Sequence, residues 1–235
     1  PFRVVAPCPA PQKPHTSPRP TAGLRMNAEL LNLLKRSVGS KLTADLAADI
    51  YVAAGRIETL VPEADIARIQ PVDHLGFAFS VERIEDIAEE IKPLHRAHWD
   101  ETEAHRHGLP FQPDYATFIR YEQAGRYILF TLRSEGKLSG NCAMYLDKSA
   151  HTQTTIATED TLYLLPEARR GRVASRFVAY VENAMRQVGA REINITVKTV
   201  NKAGRFFRLL GYRHVENGLT KILEDENVQL KTAET

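Results

Sequence analysis

Residues 162–182, "LYLLPEARRGRVASRFVAYVE", pass from a strand to a helix through a turn that holds three arginines and one glycine. Pro166 has no N–H with which to extend a β-ladder, so the strand stops there. The helix that follows carries Phe177, Val178, Val181, Met185 and Val188 along one face, the rhythm of a helix packed on a core. The next stretch, "REINITVKT", is rich in β-branched residues and reads as a buried strand. Strand, helix and strand in this order demand a crossover. If both strands lie in one sheet, the helix is the right-handed crossover that a parallel pair requires, which sets the strands ending at Leu165 and starting near Glu192 parallel. A helix start presents unpaired N–H groups and the positive end of the helix dipole. Arg169, Arg170 and Arg172 add positive charge at that point, which is unfavourable until an anion arrives, and phosphate is the anion that fits.

Around this unit the chain supplies further strands and helices. "HLGFAFSV" reads as a strand, and "ERIEDIAEEIKPLHRAHWDE" as a helix with Ile84, Ile87, Ile91 and Leu94 in phase. "DYATFIRYEQAG" is a second helix. "RYILFTLRSEGKLSGNCAMYLD" gives two strands joined at Ser134, Glu135 and Gly136, and "TTIATEDTLYLL" gives a third. "NKAGRFFRLLG" is a short helix ending at Gly211, and "YRHVENGLTKIL" is expected to add a last strand. The expected class is α/β (α+β): a mixed, mostly antiparallel sheet flanked by helices, over residues 73–225.

The N-terminal third has a different composition. Residues 1–25 hold seven prolines and no acidic residue, so they predict an extended arm rather than helix or sheet. Residues 26–72 predict a helical appendage, with Leu30, Leu31, Leu33 and Leu34 on one face and Leu42, Leu46, Ile50 and Ala53 on another. Residues 226–235 read as a polar tail. The chain of 235 residues is 43% hydrophobic and 26% charged with a net charge of +2, enough for a real core and too balanced for a broad nucleic-acid surface. Two distant cysteines, Cys8 and Cys142, make no disulfide framework, and a reducing, cytoplasmic setting is expected. No apolar run reaches the length of a membrane span.

This order of elements, with the arginine turn where it stands, resembles the GNAT superfamily of N-acetyltransferases over roughly residues 75–223. "LYLLPEARRGRVASRFV" is similar to the family's "LYVxPEYRGKGIGSRLI", and "NKAGRFFRLLGY" to its "NxxAxxFYxKLGF". "HWDE", "PEARRGR" and "VENGLTK" also look like GNAT proteins encoded among phage morphogenesis genes. The resemblance implies the acyl-CoA N-acyltransferase fold and acetyl-CoA as co-substrate. It places the pyrophosphate on Arg169, Arg170, Gly171, Arg172, Val173, Ala174 and Ser175, with Arg172 where the family carries its central glycine. It gives the pantetheine arm to the backbone of Leu164 and Leu165, with Asn201 either reaching the arm or capping the short helix.

Acetyl transfer to an amine needs a proton acceptor. Glu159 and Asp160 lie where several family members carry a glutamate base. Strand alternation allows only one of them to face the acceptor, and Glu159 is preferred because Tyr163 and Leu165 share its face. The family's tyrosine acid falls on Phe206-Phe207, which cannot donate a proton. Tyr163 is the tyrosine nearest the base in sequence. In the resembling family the "HRAHWDETEAHRHG" region shapes the acceptor pocket, which points to His98, Trp99 and Glu101. The spacing of its histidines matches no zinc pattern, so no metal is expected. The resulting expectation is an acetyl-CoA-dependent N-acetyltransferase with a small-molecule or peptide amine as acceptor. The competing expectation is a GNAT-fold assembly protein, for example of a phage particle, that associates through residues 1–54.

Overall fold

The computed structural model describes residues 28–55, 59–103, 110–199, 201 and 203–220. The expected arm (1–25) and tail (226–235) lie outside the described residues, as do Asn27, His105 and His107. The chain divides into two compact units, Pro1–Arg56 and Ile57–Thr235.

In the first unit, helices α1 (Ala28–Ser37) and α2 (Ala44–Gly55) pack on one another. Thr43 caps α2, its Oγ1 accepting the Leu46 N–H at 3.2 Å.

The second unit is built on a six-stranded sheet in sequence order: β1 (Val72–His74), β2 (Phe77–Val81), β3 (Tyr127–Ser134), β4 (Lys137–Lys148), β5 (Thr155–Leu164) and β6 (Ala190–Asn194). The first five strands pair antiparallel, and β5 pairs with β6 parallel, as the crossover argument requires. The other elements are α3 (Glu63–Ile66), α4 (Ile84–Thr102), α5 (Tyr115–Gln123), a 3-10 turn (Pro166–Arg169), α6 (Val173–Gln187) and α7 (Ala203–Leu209). Alternation along β3 sends Ile128, Phe130 and Leu132 into the core that contains Phe177, Val181 and Met185 of α6. Tyr127 and Leu129 go into the opposite core with Ile84, Ile87 and Ile91 of α4.

Three features depart from the sequence expectations. "HLGFAFSV" is not one strand: Leu75 and Gly76 take φ of 52° and 80°, the geometry of a tight hairpin turn joining β1 to β2. Residues 59–72 belong to the sheet unit rather than to the appendage. Val61 and Ile69 are buried in its core, and the Leu60 N–H bonds the Ala124 carbonyl at 2.9 Å. Residues 213–220 form no strand; Val215 and Leu219 are exposed, so no apolar face holds the segment against the sheet.

Gly125 tests the docking of residues 59–72. It has φ +59°, and a Cβ there would lie 1.9 Å from the Val61 carbonyl oxygen. Gly125→Ala is expected to destabilise the protein by more than about 2 kcal/mol in urea unfolding. An unchanged midpoint would mean that the segment does not sit against this turn.

Candidate active site

The β5–β6 pairing runs from Thr155↔Ala190 only to Thr158↔Asn194. β5 then continues to Leu164 with no strand paired on that side among the described residues. The Leu165 N–H bonds the Ser139 carbonyl at 2.8 Å, so its backbone faces β4. By alternation, the polar backbone groups of Leu162 and Leu164 face the open side. A second irregularity lies opposite. β4 and β5 pair as Ala143↔Thr161 and then Met144↔Glu159, so Asp160 is the extra residue of a β-bulge.

A cavity of about 300 Å³ occupies the fork, lined among others by His98, Glu103, Glu159, Asp160, Leu162, Lys198 and Phe207. The bulge puts both carboxyls on it, where unbroken alternation would have admitted one. Burial pushes the Glu159 carboxyl up to about 7; the charges of Asp160 and Glu103 add to the rise, while the Thr196 backbone N–H and Lys198 oppose it. Burial also raises Asp160, against the pull of the Tyr127 phenol, which donates to Oδ2 at 2.8 Å. Two other acids beside the fork have cationic partners. Lys198 pairs with Glu103, and Arg169 grips Glu101 with Nη1 to Oε1 at 2.8 Å and Nη2 to Oε2 at 2.7 Å. Chemically, the fork offers a proton acceptor that titrates near neutral pH next to a strand edge with unfilled hydrogen bonds.

The residues expected from the sequence fall into three groups. Glu159, Asp160, His98 and Asn201 line the cavity. Asn201 also caps α7, its Oδ1 accepting the Ala203 N–H at 2.9 Å. Arg170, Gly171, Arg172, Val173, Ala174 and Ser175 form the turn and the start of α6. Arg172 is exposed and Gly171 has φ +61° with open space where a Cβ would point.

The remaining assignments change. Leu165 has both backbone groups engaged, the carbonyl by the Ala168 N–H at 2.9 Å, so the open edge belongs to Leu162 and Leu164. Arg169 turns away from the α6 start: besides Glu101 it binds the Leu164 carbonyl through Nε at 2.6 Å. Glu101, held low by Arg169, also accepts the Tyr163 hydroxyl at 3.0 Å. Tyr163 is not on the cavity; it lies between the Arg169 guanidinium and the ring of His98. Trp99 packs on Phe111 instead, 5.5 Å between rings. Among the described residues no three His, Cys, Asp or Glu side chains converge on a metal position, and no helix is long and apolar enough to cross a membrane.

Sequence reasoning missed Leu162, Lys198 and Tyr127. A bulge of one residue leaves no trace in composition, and Tyr127 reaches Asp160 across an intervening strand, a contact with no local signal.

The model of the acetyltransferase (GNAT) family matches residues 84–212. No curated protein matches the chain. Among solved structures, an aminoglycoside acetyltransferase from an uncultured soil metagenomic sample is similar at 16% identity and TM-score 0.53, covering 64% of this chain and 100% of that one. A transcriptional regulator from Bacillus halodurans is similar at 16% identity and TM-score 0.52, covering 63% and 99%. A second metagenomic aminoglycoside acetyltransferase, solved with sisomicin, is similar at 12% identity and TM-score 0.50, covering 64% and 96%. At these identities the likeness is one of fold.

The raised Glu159 carboxyl has a consequence for stability. Its folded value of about 7 lies above the ordinary 4.5. The folded state therefore favours the protonated form: stability is fullest below pH 4.5 and declines as pH rises through 7. Glu159→Gln is expected to abolish that decline and to stabilise the protein at pH 8 by about 2–3 kcal/mol. Urea unfolding at pH 4.5 and pH 8 checks it; a variant less stable than wild type at pH 8 would show that the carboxylate is well solvated.

Proposed function

The chain belongs to the GNAT family of acetyltransferases, and from that premise we propose that it transfers an acetyl group from acetyl-CoA directly to a primary amine, with Glu159 as general base. The observation that carries the reading is the position of Glu159: half-buried at the root of the β5–β6 fork, on the cavity, with its carboxyl at about 7. A base with that value is half ionised at neutral pH and still basic enough to take an ammonium proton.

The residues present fit acetyl-CoA. The open backbone groups of Leu162 and the Leu164 N–H offer the hydrogen bonds that an amide-bearing arm takes from a strand edge. The first N–H groups of α6 lack intrahelical acceptors and point where Arg170 and Arg172 add charge. Gly171, in a left-handed conformation with nothing in its Cβ direction, leaves the backbone approachable. When bound, acetyl-CoA supplies the activated acetyl thioester. Arg169 secures the turn by tying it to Glu101 and to the end of β5. On the cavity, Glu159 accepts a proton from the ammonium, freeing the nitrogen lone pair for the carbonyl carbon. His98, kept below its usual value chiefly by burial, presents a neutral imidazole to the acceptor.

Phe207 occupies the cavity where the family's tyrosine acid is expected, buried against Phe206 and Tyr212. Tyr212 is no substitute, because it does not line the cavity and its phenol is engaged by Glu182. A thiol is acidic enough, at about 8.5, that a thiolate leaves without an obligatory acid near neutral pH. The assembly reading rested on the arm of residues 1–25, which lies outside the described residues, on the helical appendage, and on Phe207 and Arg172 at the family's tyrosine and glycine places; the comparisons give it no support.

Two outcomes test the proposal. Glu159→Gln should lower kcat by about 100-fold or more with acetyl-CoA affinity almost unchanged. Full turnover in that variant, with loss in Asp160→Asn instead, would assign the base to the other carboxyl. The double variant Arg170→Glu, Arg172→Glu should weaken acetyl-CoA by about 10- to 100-fold, since charge-assisted contacts become repulsive. Equal affinity in calorimetry would remove phosphate from the α6 start.

A further inference from the structure

We propose that Tyr127 is a positioning residue of this site: its phenol holds Asp160 as a carboxylate beside Glu159, and so leaves Glu159 as the single proton acceptor in the cavity. The inference rests on the acetyltransferase reading and deepens it.

Two adjacent carboxyls on one cavity pose a problem that either could solve. Like charges in a poorly hydrated space resist simultaneous ionisation, so near neutral pH the pair tends to share one proton. The ordinary values of the two acids differ by only about half a pH unit, so a group that favours one carboxylate weighs heavily on which carboxyl keeps the proton. The geometry favours one side. Tyr127 is on β3, two strands from β5, and neighbouring strands lie about 4.8 Å apart. Its hydroxyl still reaches Asp160 Oδ2 at 2.8 Å. Ala143 of β4, paired with Leu129 on one side and Thr161 on the other, has only a methyl group to place between them.

The phenol is held firmly. Tyr127 is 1% exposed, stacked on Phe118 at 5.3 Å and edge-on to Tyr145 at 4.8 Å. Burial raises its own ionisation far out of the working range, so it keeps its proton and acts as a donor to Asp160. A donor on a carboxylate oxygen favours the ionised form. Asp160 therefore keeps its negative charge to lower pH than Glu159. That charge is one of the causes that raise Glu159.

The other groups around Glu159 are accounted for. From α4 come His98, below its usual value, and Glu103, which is paired with Lys198 from the segment after β6. From β4 come Cys142, whose thiol burial raises well beyond use, and Tyr145, pushed up to about 12. None of these donates to Asp160; Tyr127 does.

The test is a carboxyl-carbon NMR titration of the full chain, without any co-substrate, in wild type, Asp160→Asn and Tyr127→Phe. In the wild type Asp160 should ionise at lower pH than Glu159; the reverse order overturns the proposal and needs no variant that must fold. Removing the Asp160 charge should move the Glu159 midpoint down by about one pH unit, and Tyr127→Phe should move it the same way by less, because Asp160 then retains a proton. The acid limb of kcat/KM for n-butylamine should follow both shifts. A Tyr127→Phe variant that loses thermal stability while the Glu159 midpoint stays fixed would reduce Tyr127 to a packing role. The two readings fail separately. Activity that needs Glu159 but shows none of these shifts keeps the acetyltransferase and removes the Tyr127 role. The expected shifts in a chain that transfers no acetyl group do the opposite.

Discussion

The parting of β5 and β6 after Thr158 and Asn194 is the constraint on which the rest of the site depends. A parallel pair that stayed in register to Leu164 would fill every backbone hydrogen bond with its neighbour and leave a closed sheet. Because the strands separate, Leu162 and Leu164 keep outward-facing groups in the interior of the sheet unit, where unfilled hydrogen bonds are costly. Gly140 belongs to the same arrangement: a Cβ there would lie 2.3 Å from Leu164 Cδ2 and 3.0 Å from the Tyr163 carbonyl oxygen, so a side chain at that place would push the Leu164 side chain aside.

Charge is distributed around the fork with the same economy. Glu101 and Glu103, at the end of α4, each have a cation of their own in Arg169 and Lys198. Among the described residues Glu159 and Asp160 have no cation within ion-pair distance; what holds them is a backbone N–H and a phenol. Those partners stabilise a carboxylate less than an ion pair does, and that weakness is what allows a half-buried acid to titrate in the neutral range. The arginine turn therefore divides its work. Arg169 reaches inward and fixes the turn, while Arg170 and Arg172 remain exposed at the start of α6.

Much of this was legible in the sequence. Pro166, the arginine turn and the apolar stripe from Phe177 to Met185 placed the crossover, and the parallel β5–β6 pair followed from connection geometry. The helical phase of Ile84, Ile87, Ile91 and Leu94 identified the buried face of α4. What was not legible depended on contacts between residues far apart in the chain. The period-two argument for choosing between Glu159 and Asp160 failed because one extra residue shifts the phase, and no residue type announces a bulge. The direction of Arg169 is set by Glu101, 68 residues earlier. The placement of residues 59–72 was decided by the burial of Val61 and Ile69 rather than by the prolines that punctuate the segment.

We propose that the fork is a ready slot whose open edge acetyl-CoA completes. Amide hydrogen exchange of the full chain, with and without acetyl-CoA, reads that edge directly. The account predicts that the Leu162 and Leu164 amides become protected on binding, while the Leu165 amide, already bonded to Ser139, does not change. Protection elsewhere on the chain, with Leu162 and Leu164 exchanging as before, would contradict it.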